Sequence, residues 1–261
     1  MSDTLSLIID GPVAEVTLTR PEVLNRFDFA LHQDFTEMLL ELRGQSDLRA
    51  VVLASTGKCF SAGGDFELML AARADIATRT RMLDEGRLMF RLLIDVPLPI
   101  VVALQGDAIG LGATVALACD AIVASRTAAI SDPHVAIGLV AGDGGCVVWP
   151  AAAGLLRAKR YLLTGDRLPA EEAWAMGLVT DLVDGPDDAL PAARALAARM
   201  AALPPLAVQG TKRALNRLMQ QRAGEVLDLS FALEGASMAS DDLAEAIAAF
   251  KERREPKYQG R

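Results

Sequence analysis

Cysteine, histidine and aromatic residues are all scarce in this sequence of 261 residues. It contains three cysteines and two histidines, and only 5% of its residues are aromatic. The number of cysteines is odd, and their positions lack the spacing of a zinc site. All three stand among small or apolar neighbours, which predicts reduced thiols at Cys59, Cys119 and Cys146. Two histidines also make a His-based metal site improbable. We therefore expect the protein to use no metal and no cofactor of its own.

Basic residues and long apolar runs are lacking as well. Lysine and arginine total 26 against 34 acidic residues, which gives a formal net charge of −8. An acidic chain without a basic stripe does not suit phosphate backbones, so we expect no nucleic-acid partner. No apolar run approaches the roughly 20 residues that cross a bilayer. The first ten residues also lack the basic-then-apolar order of a signal peptide. We expect a cytoplasmic protein that does not bind membranes.

The sequence does contain a regular alternation of strand and helix patterns. Apolar and polar residues alternate on both sides of Gly11-Pro12, which predicts a β-hairpin. Helical spacing of apolar residues is found over 28–42 and again over 84–95. Short buried strands are predicted at 50–54, 100–104, 121–124 and 178–183. Because strands joined through helices pair in parallel, the predicted fold class is α/β.

The last part of the chain shows no strand pattern. Helices are predicted to begin at Ala189, Pro205, Gly224 and Asp241. We expect a core over residues 1–200 and a helical C-terminal region over 201–261. Four apolar residues of that region give it more apolar surface than a helical tail should expose, which predicts packing against another subunit. They are Leu227, Phe231, Leu233 and Met238.

Two turns rich in small residues stand where a strand leads into a helix. The first is Ser61-Ala62-Gly63-Gly64, followed by Asp65 as the predicted N-cap. The second runs from Gln105 to Ala113 and contains Gly110-Leu111-Gly112. Two such turns on neighbouring strands can place two backbone N–H donors around one oxygen, as in an oxyanion hole. Taken alone, the first turn is more typical of an ordinary strand-to-helix connection.

Five segments carry a resemblance that extends over nearly the whole chain. They are FSAGGDF at 60–66, GDAIGLGATVALACD at 106–120, DPHVAIGLVAGDGG at 132–145, LTGDRLPAEEAWAMGLV at 163–179 and the ending AIAAFKERREP. Together they resemble the crotonase (enoyl-CoA hydratase/isomerase) superfamily. The resemblance implies a spiral of ββα units with a helical C-terminal region, assembled as a homotrimer or a dimer of trimers.

The resemblance also implies an acyl-CoA thioester as the substrate, so that coenzyme A enters as part of the substrate. Its carbonyl would lie between the backbone N–H groups of Gly64 and Leu111, which occupy the superfamily's two oxyanion positions. Trp149 is expected to line the acyl pocket, unless it is a core residue. The other positions expected to contact the substrate or CoA are Val23, Leu24, Arg26, Ala62, Asp65 and Arg253.

The chain departs from the superfamily's hydratases at the two glutamates that activate water. Thr114 and His134 stand at those positions. Threonine is a poor base at neutral pH, whereas histidine is a good one. Asp143 follows His134 by nine positions, and a carboxylate that accepts from the ring would make a His–Asp base dyad. From the residues alone it is equally plausible that Asp143 caps the next helix.

The segment that begins at Pro133 resembles the corresponding segment of 6-oxocamphor hydrolase, a superfamily member that cleaves a carbon–carbon bond of a cyclic β-diketone without CoA. His32 matches a histidine of that enzyme's site, but its helix face predicts a surface residue. The nearest acid to that enzyme's glutamate, Glu234, falls out of register. Three functions remain open: an enzyme that acts on acyl-CoA or enoyl-CoA thioesters, a C–C hydrolase of β-diketones, and a noncatalytic CoA-binding scaffold.

Overall fold

A computed structural model describes residues 3–261 of the chain. The strands in this range are β1 (Leu5–Asp10), β2 (Val13–Leu18), β3 (Ala50–Ser55), β4 (Cys59–Ser61), β5 (Ile100–Leu104), β6 (Asp107–Ile109), β7 (Ala121–Ser125), β8 (Ala129–Ser131), β9 (Leu168–Pro169) and β10 (Asp181–Val183). The helices are α1 (Phe29–Gly44), α2 (Phe66–Ala74), α3 (Ile76–Asp95), α4 (Leu111–Leu117), α5 (Gly145–Ala153), α6 (Leu155–Leu162), α7 (Ala170–Met176), α8 (Pro186–Ala201), α9 (Pro205–Met238) and α10 (Asp241–Glu252). Short 3₁₀ helices cover Pro21–Val23 and His134–Ile137.

The strands form two sheets. The larger sheet has the order β1-β2-β3-β5-β7-β10. β1 and β2 form the predicted antiparallel hairpin, and all later neighbours in this sheet are parallel. The smaller sheet has the order β4-β6-β8-β9, in which β4, β6 and β8 are parallel and β9 is antiparallel. The predicted α/β class is therefore confirmed.

A strand of the larger sheet, a short strand of the smaller sheet and a helical segment repeat along the chain. β3 and β4 lead into α2, β5 and β6 lead into α4, and β7 and β8 lead into the 3₁₀ helix at His134–Ile137. This repeat is the expected spiral of ββα units. Because β4, β6 and β8 are parallel neighbours, the turns that follow them lie side by side at one edge of the smaller sheet.

Small side chains allow α8 to pack closely on the larger sheet. Ala193, Ala197 and Ala201 recur every four residues and are buried against the sheet. Val52 of β3 and Val101 of β5 belong to the same buried cluster. Residues spaced by four share one face of a helix, so this stripe of alanines is the face that contacts the strands.

The long helix α9 differs from the prediction in two ways. It passes through Gly224 without interruption, so no new helix begins there. Three of the four apolar residues expected to contact another subunit are buried within this chain, while Leu233 is 48% exposed. The buried three are Leu227, Phe231 and Met238. The prediction is wrong for these three because an unbroken helix keeps them on one stripe that faces the chain's own core.

Other element boundaries also differ from the predicted ones. α3 begins at Ile76 rather than near residue 84, because Asp75 ends α2 and its carboxylate accepts the N–H of Thr78 at 2.8 Å as the N-cap of α3. The strand predicted at 178–183 contains only Asp181–Val183. The division of the chain near residue 200 stays a prediction. Within the described residues, no helix combines the length and the apolar character that crossing a membrane requires.

Candidate active site

The turns after β4 and β6 lie directly against each other. A side chain at Gly63, where φ is +81°, would place its Cβ 2.5 Å from the Ile109 carbonyl oxygen and 3.3 Å from the Leu111 nitrogen. Only glycine allows this approach. Neither the Gly64 nor the Leu111 backbone N–H donates to an acceptor within residues 3–261. Two unpartnered N–H donors therefore stand on two turns that are in contact.

Gly64 and Leu111 line one small cavity together with side chains of α1, α3 and α9. Its volume is about 30 Å³, which is room for about one or two water molecules. Its polar lining residues are His32, His134, Asp143 and Glu234. Its remaining lining residues are Met69, Met82, Leu83, Gly86 and Phe231. The cavity thus combines apolar walls with four ionisable side chains.

His134 lies between two carboxylates at the start of the 3₁₀ helix. Its Nδ1 is hydrogen-bonded to Asp132 Oδ1, and its Nε2 lies 3.5 Å from Asp143 Oδ2. The other oxygen of Asp143 accepts from the Thr114 hydroxyl at 3.0 Å and from the Gly145 N–H at 3.3 Å. All of these side chains are buried. Asp143 therefore faces His134 and also accepts the N–H of the first residue of α5, although the N-cap of that helix is Gly144.

The two carboxylates govern the protonation of His134. Burial lowers the pKa of its ring, but the negative charges of Asp132 and Asp143 outweigh burial and raise that pKa to about 10. Burial raises the pKa of the Asp143 carboxyl above its usual range. At neutral pH the ring is thus an imidazolium, which donates at both nitrogens, so the expectation that His134 itself is the base does not fit this protonation state. Asp143 Oδ2 makes no hydrogen bond in the described residues, so it is the atom of the pair that is free to accept a proton.

The orientation of His134 comes from a residue that the sequence analysis missed. Asp143 was expected to orient the ring, but Asp132 makes the closer contact, at Nδ1. Asp132 is fully buried, and its Oδ1 also accepts the backbone N–H of His134 at 3.4 Å. The signal was present in the sequence, since Asp132 precedes His134 by only two positions. A carboxylate so placed can contact both the backbone and the ring of the histidine.

Two expectations about more distant residues are wrong. His32 was expected on the surface, yet it is 4% exposed and lines the cavity. It lies three positions before the buried Phe35, so the two share one side of α1. Glu234 was judged out of register, yet it also is 4% exposed and lines the cavity. It follows Phe231 by three positions on the continuous buried stripe of α9.

One group of side chains has the composition of a metal site. Asp132, His134 and Asp143 each offer one possible ligand atom, and these atoms lie within 4.8 Å of one another. The Nδ1 atom of His134 already shares a hydrogen bond with Asp132, and its Nε2 faces Asp143. Both ring nitrogens of His134 thus already face carboxylates within this group.

Comparison with known proteins shows the family to which the chain belongs. The family model described as enoyl-CoA hydratase/isomerase matches residues 9–261. The chain belongs to the enoyl-CoA hydratase/isomerase family. It is 34% identical to a probable enoyl-CoA hydratase of Rhodobacter capsulatus, over 99% of this chain and 98% of that protein. It is also 34% identical to an (E)-benzylidenesuccinyl-CoA hydratase of Thauera aromatica, over 98% of this chain and 99% of the relative.

A solved structure supports the same assignment. The crystal structure of an enoyl-CoA hydratase/isomerase from Mycobacterium paratuberculosis superimposes with a TM-score of 0.91 and 33% sequence identity, covering 95% of this chain and 98% of the other. The protein is therefore an enzyme of the enoyl-CoA hydratase/isomerase family, with the crotonase fold that its motifs predict. Thr114 and His134 stand at the positions of the two hydratase glutamates, and this is where the chain departs from the family's hydratases.

Most of the positions expected to contact CoA in this enoyl-CoA hydratase/isomerase family member form one surface beside the first turn. Ala62 donates its N–H to the Leu24 carbonyl at 2.9 Å. Arg26, whose side chain is 42% exposed, forms an ion pair with the buried Asp65. Asp65 is also the N-cap of α2, as predicted. Its carboxylate accepts a backbone N–H of the first turn of that helix at 2.8 Å. Val23 ends the 3₁₀ helix that precedes Leu24.

The last two expected positions are separate from that surface. Arg253 is exposed at the end of α10, and the neighbouring Phe250 contacts Phe66 at the start of α2 with 5.4 Å between ring centroids. The end of α10 thus lies near the first turn. Trp149 is completely buried, stacks on Tyr161 at 6.0 Å and is not among the residues that line the cavity. The structure places Trp149 in the core, where large aromatic side chains bury the most apolar area.

Proposed function

We propose that this enzyme acts on an acyl-CoA or enoyl-CoA thioester whose carbonyl oxygen accepts from the N–H groups of Gly64 and Leu111. The observation that carries the proposal is the single cavity where these two residues meet His134 and Asp143. Charge that develops on the thioester oxygen would be stabilised there, and each donor of this kind contributes about 2.7–4 kcal/mol. Leucine is compatible with this role because only its backbone is used.

The CoA part of the substrate would lie along the surface formed by Val23, Leu24, Arg26 and Ala62. Arg26 supplies a positive charge beside the turn that holds Gly64, which suits a phosphate of CoA. Arg253 supplies a second positive charge near the start of α2. Coenzyme A belongs to the substrate in this proposal and is not a resident cofactor.

The pair of His134 and Asp143 would transfer protons in place of the two hydratase glutamates. In a hydration, Asp143 Oδ2 takes a proton from water as the water oxygen bonds to the β-carbon and an electron pair moves to the thioester oxygen. His134 Nε2–H then gives its proton to the α-carbon, and the proton on Asp143 restores the imidazolium. In a double-bond isomerisation the same two atoms remove and return a proton on carbon. Positioned acid–base groups of this kind contribute about 10²–10⁴-fold in rate.

The first test is the hydration of crotonyl-CoA, followed by the loss of enoyl absorbance. We expect His134→Ala and Asp143→Asn each to lower turnover by about 10²-fold or more, with CoA affinity nearly unchanged. Arg222→Ala is the matched control, because Arg222 is exposed on α9 and contacts Glu225. Undiminished turnover in His134→Ala would remove the role assigned to the pair. Tight binding of acyl-CoA without turnover of any thioester would favour the noncatalytic scaffold.

A C–C hydrolase of cyclic β-diketones is the second candidate, and one observation favours it. His32 and Glu234, the two residues whose link to the 6-oxocamphor hydrolase site was weakest in the sequence, line the same cavity as His134 and Asp143. Hydrolysis of a cyclic β-diketone that carries no CoA, measured as the appearance of a keto acid, would support this candidate. If no diketone of a broad panel is hydrolysed, this candidate is contradicted and the thioester activity stays the proposed function.

Assembly as a homotrimer or a dimer of trimers is part of the proposal. Besides Leu233, α9 exposes four leucines that the chain itself does not cover, with exposed fractions from 61% to 87%. They are Leu206, Leu215, Leu218 and Leu229. Apolar side chains of this size on one helix are typical of a surface that another subunit covers.

A further inference from the structure

Two polar side chains of the cavity take no part in the proposed proton transfer. They are His32 on α1 and Glu234 on α9. Both residues are 4% exposed. Within residues 3–261, His32 Nδ1 and Glu234 Oε2 are completely enclosed and make no hydrogen bond. Because buried polar groups are almost always paired in folded proteins, two unpaired ones in one cavity indicate a missing partner.

Rigid packing prevents each of the two side chains from finding a partner elsewhere. The His32 ring packs edge-on against Phe27, with 5.5 Å between ring centroids, and Phe27 forms a β-bridge with Gly64. The backbone of Gly142 lies so close to Glu234 that a Cβ added to Gly142 would be 2.6 Å from the Oε2 atom of Glu234. Both groups are therefore held at the cavity by helices and turns, as binding groups must be if they are to select a ligand.

The charge state of the cavity restricts which partner fits. Burial lowers the pKa of His32 to about 4, so the ring is neutral at neutral pH. Burial, together with the charge of Asp143, raises the pKa of Glu234 to about 8, so its carboxyl is mostly protonated there. Each group then has an N–H or O–H to donate. An anion would face the carboxylates of Asp132 and Asp143, and a purely apolar group would leave both donors unpaired.

We propose that His32 and Glu234 form a subsite for a neutral oxygen, a ketone or a hydroxyl, on the acyl group of the substrate beyond the reacting carbons. The inference rests on the proposed thioester function and names its substrate class. Glu234 donates to this oxygen from its carboxyl, and His32 donates from its ring. The apolar walls formed by Met69, Met82 and Phe231 contact the acyl chain.

The test compares three saturated thioesters of similar shape, which bind without undergoing hydration. They are 4-oxopentanoyl-CoA, 4-methylpentanoyl-CoA and succinyl-CoA, which carry a ketone, a methyl branch and a carboxylate at the same position. Affinities are measured by isothermal titration calorimetry at neutral pH, with free CoA as the reference ligand. We expect the ketone to bind about tenfold or more tightly than the methyl analogue, because a site built for a hydrogen bond rejects a ligand that lacks it. We expect the carboxylate to bind more weakly than the ketone.

Variants assign the preference to the two side chains. Glu234→Gln keeps a donor and should retain most of the preference for the ketone, whereas Glu234→Leu and His32→Phe should each reduce it by about fivefold or more. Gln33→Ala is the matched control, because Gln33 is the exposed neighbour of His32 on α1 and contacts only Glu37 among side chains. Circular dichroism and thermal unfolding establish that each variant is folded.

The outcomes separate the subsite from the proposed function. If the wild-type protein binds CoA and all three thioesters with equal affinity, the subsite is overturned and the thioester function stands, a comparison that needs no variant. If the preference for the ketone survives in both Glu234→Leu and His32→Phe, these residues do not form the subsite. If neither CoA nor any thioester binds, the proposed function fails and the subsite fails with it.

Discussion

At the scale of single residues, the unusual feature is a histidine enclosed by carboxylates on both sides of its ring. Asp132 is hydrogen-bonded to Nδ1 and Asp143 faces Nε2. Glu234 is a third acidic group near the ring, and it raises the pKa of His134 only where its own carboxyl is ionised, above its pKa of about 8. A histidine that is to serve as a proton donor at neutral pH needs such partners, because burial alone would favour its neutral form.

Asp132 is therefore expected to set the pH range in which the His134–Asp143 pair works. Asp132→Asn removes a negative charge while keeping the shape of the side chain, so the imidazolium loses a stabilising partner and the pKa of His134 falls from its value of about 10. Since the proposed mechanism needs a protonated His134, activity should be lost at lower pH on the basic side of the profile. The measurement is kcat/KM for thioester turnover as a function of pH.

The matching control is the same substitution at Asp120. Its carboxylate accepts hydrogen bonds from Lys212 and from the Ile100 N–H, and it does not line the cavity. Asp120→Asn should lower stability without moving the basic limb of the profile. A basic limb that stays in place in Asp132→Asn would show that Asp132 does not control the protonation of His134.

At the scale of secondary-structure elements, α9 brings Glu234 to the site because it remains helical through two glycines. Gly210 and Gly224 both lie inside this helix, without positive φ and with nothing within 4 Å of the position that a Cβ would occupy. Glycine in a helix interior costs about 0.5–1 kcal/mol relative to alanine, because more backbone freedom is lost on folding. The packing of α9 on the core offsets that cost.

Gly224→Ala should consequently raise the free energy of unfolding by about 0.4–1 kcal/mol. Chemical denaturation monitored by circular dichroism measures this change. Gly154→Ala is the control, because Gly154 has equal space for a Cβ but a φ of +79°, which an alanine adopts only with strain. Gly154→Ala should lower stability. A loss of stability in Gly224→Ala would mean that this face of α9 is in closer contact than the single chain shows.

At the scale of the whole molecule, the exposed leucines of α9 are the surface that the proposed assembly would cover. A buried leucine contributes about 1.5–3 kcal/mol relative to an exposed one, so several together can support a stable contact. The buried apolar stripe and the exposed leucines lie on different faces of α9. α9 would thus hold Glu234 at the cavity on one side and another subunit on the other.

Light scattering coupled to size-exclusion chromatography should give a mass three or six times that of one chain. Leu206→Glu combined with Leu218→Glu should reduce the mass toward that of the monomer, since both side chains are exposed in the chain and charge would have to be buried in the assembly. Gln33→Ala, a change at an exposed position of α1, should leave the mass unchanged. A monomeric wild-type protein at micromolar concentration would contradict the proposed assembly.

The ββα order came from the resemblance to the superfamily. Local patterns in the sequence were sufficient for the α/β fold class and for the two turns that carry Gly64 and Leu111. Each of these depends on residues only a few positions apart, where strand period, helix period and glycine content act directly. The replacement of the two glutamates by Thr114 and His134 was visible for the same reason, because motif positions can be compared one by one. The resemblance added the family, which the comparisons confirmed.

Only the tertiary structure decided which ionisable groups meet at the cavity. His32 and Glu234 are about two hundred positions apart, and their meeting depends on how α1 and α9 pack and on the unbroken register of α9. The burial of Trp149 was decided in the same way. Contacts across such separations come from the close packing of whole elements, where a shift of one residue turns a side chain to another face, so no local pattern encodes them.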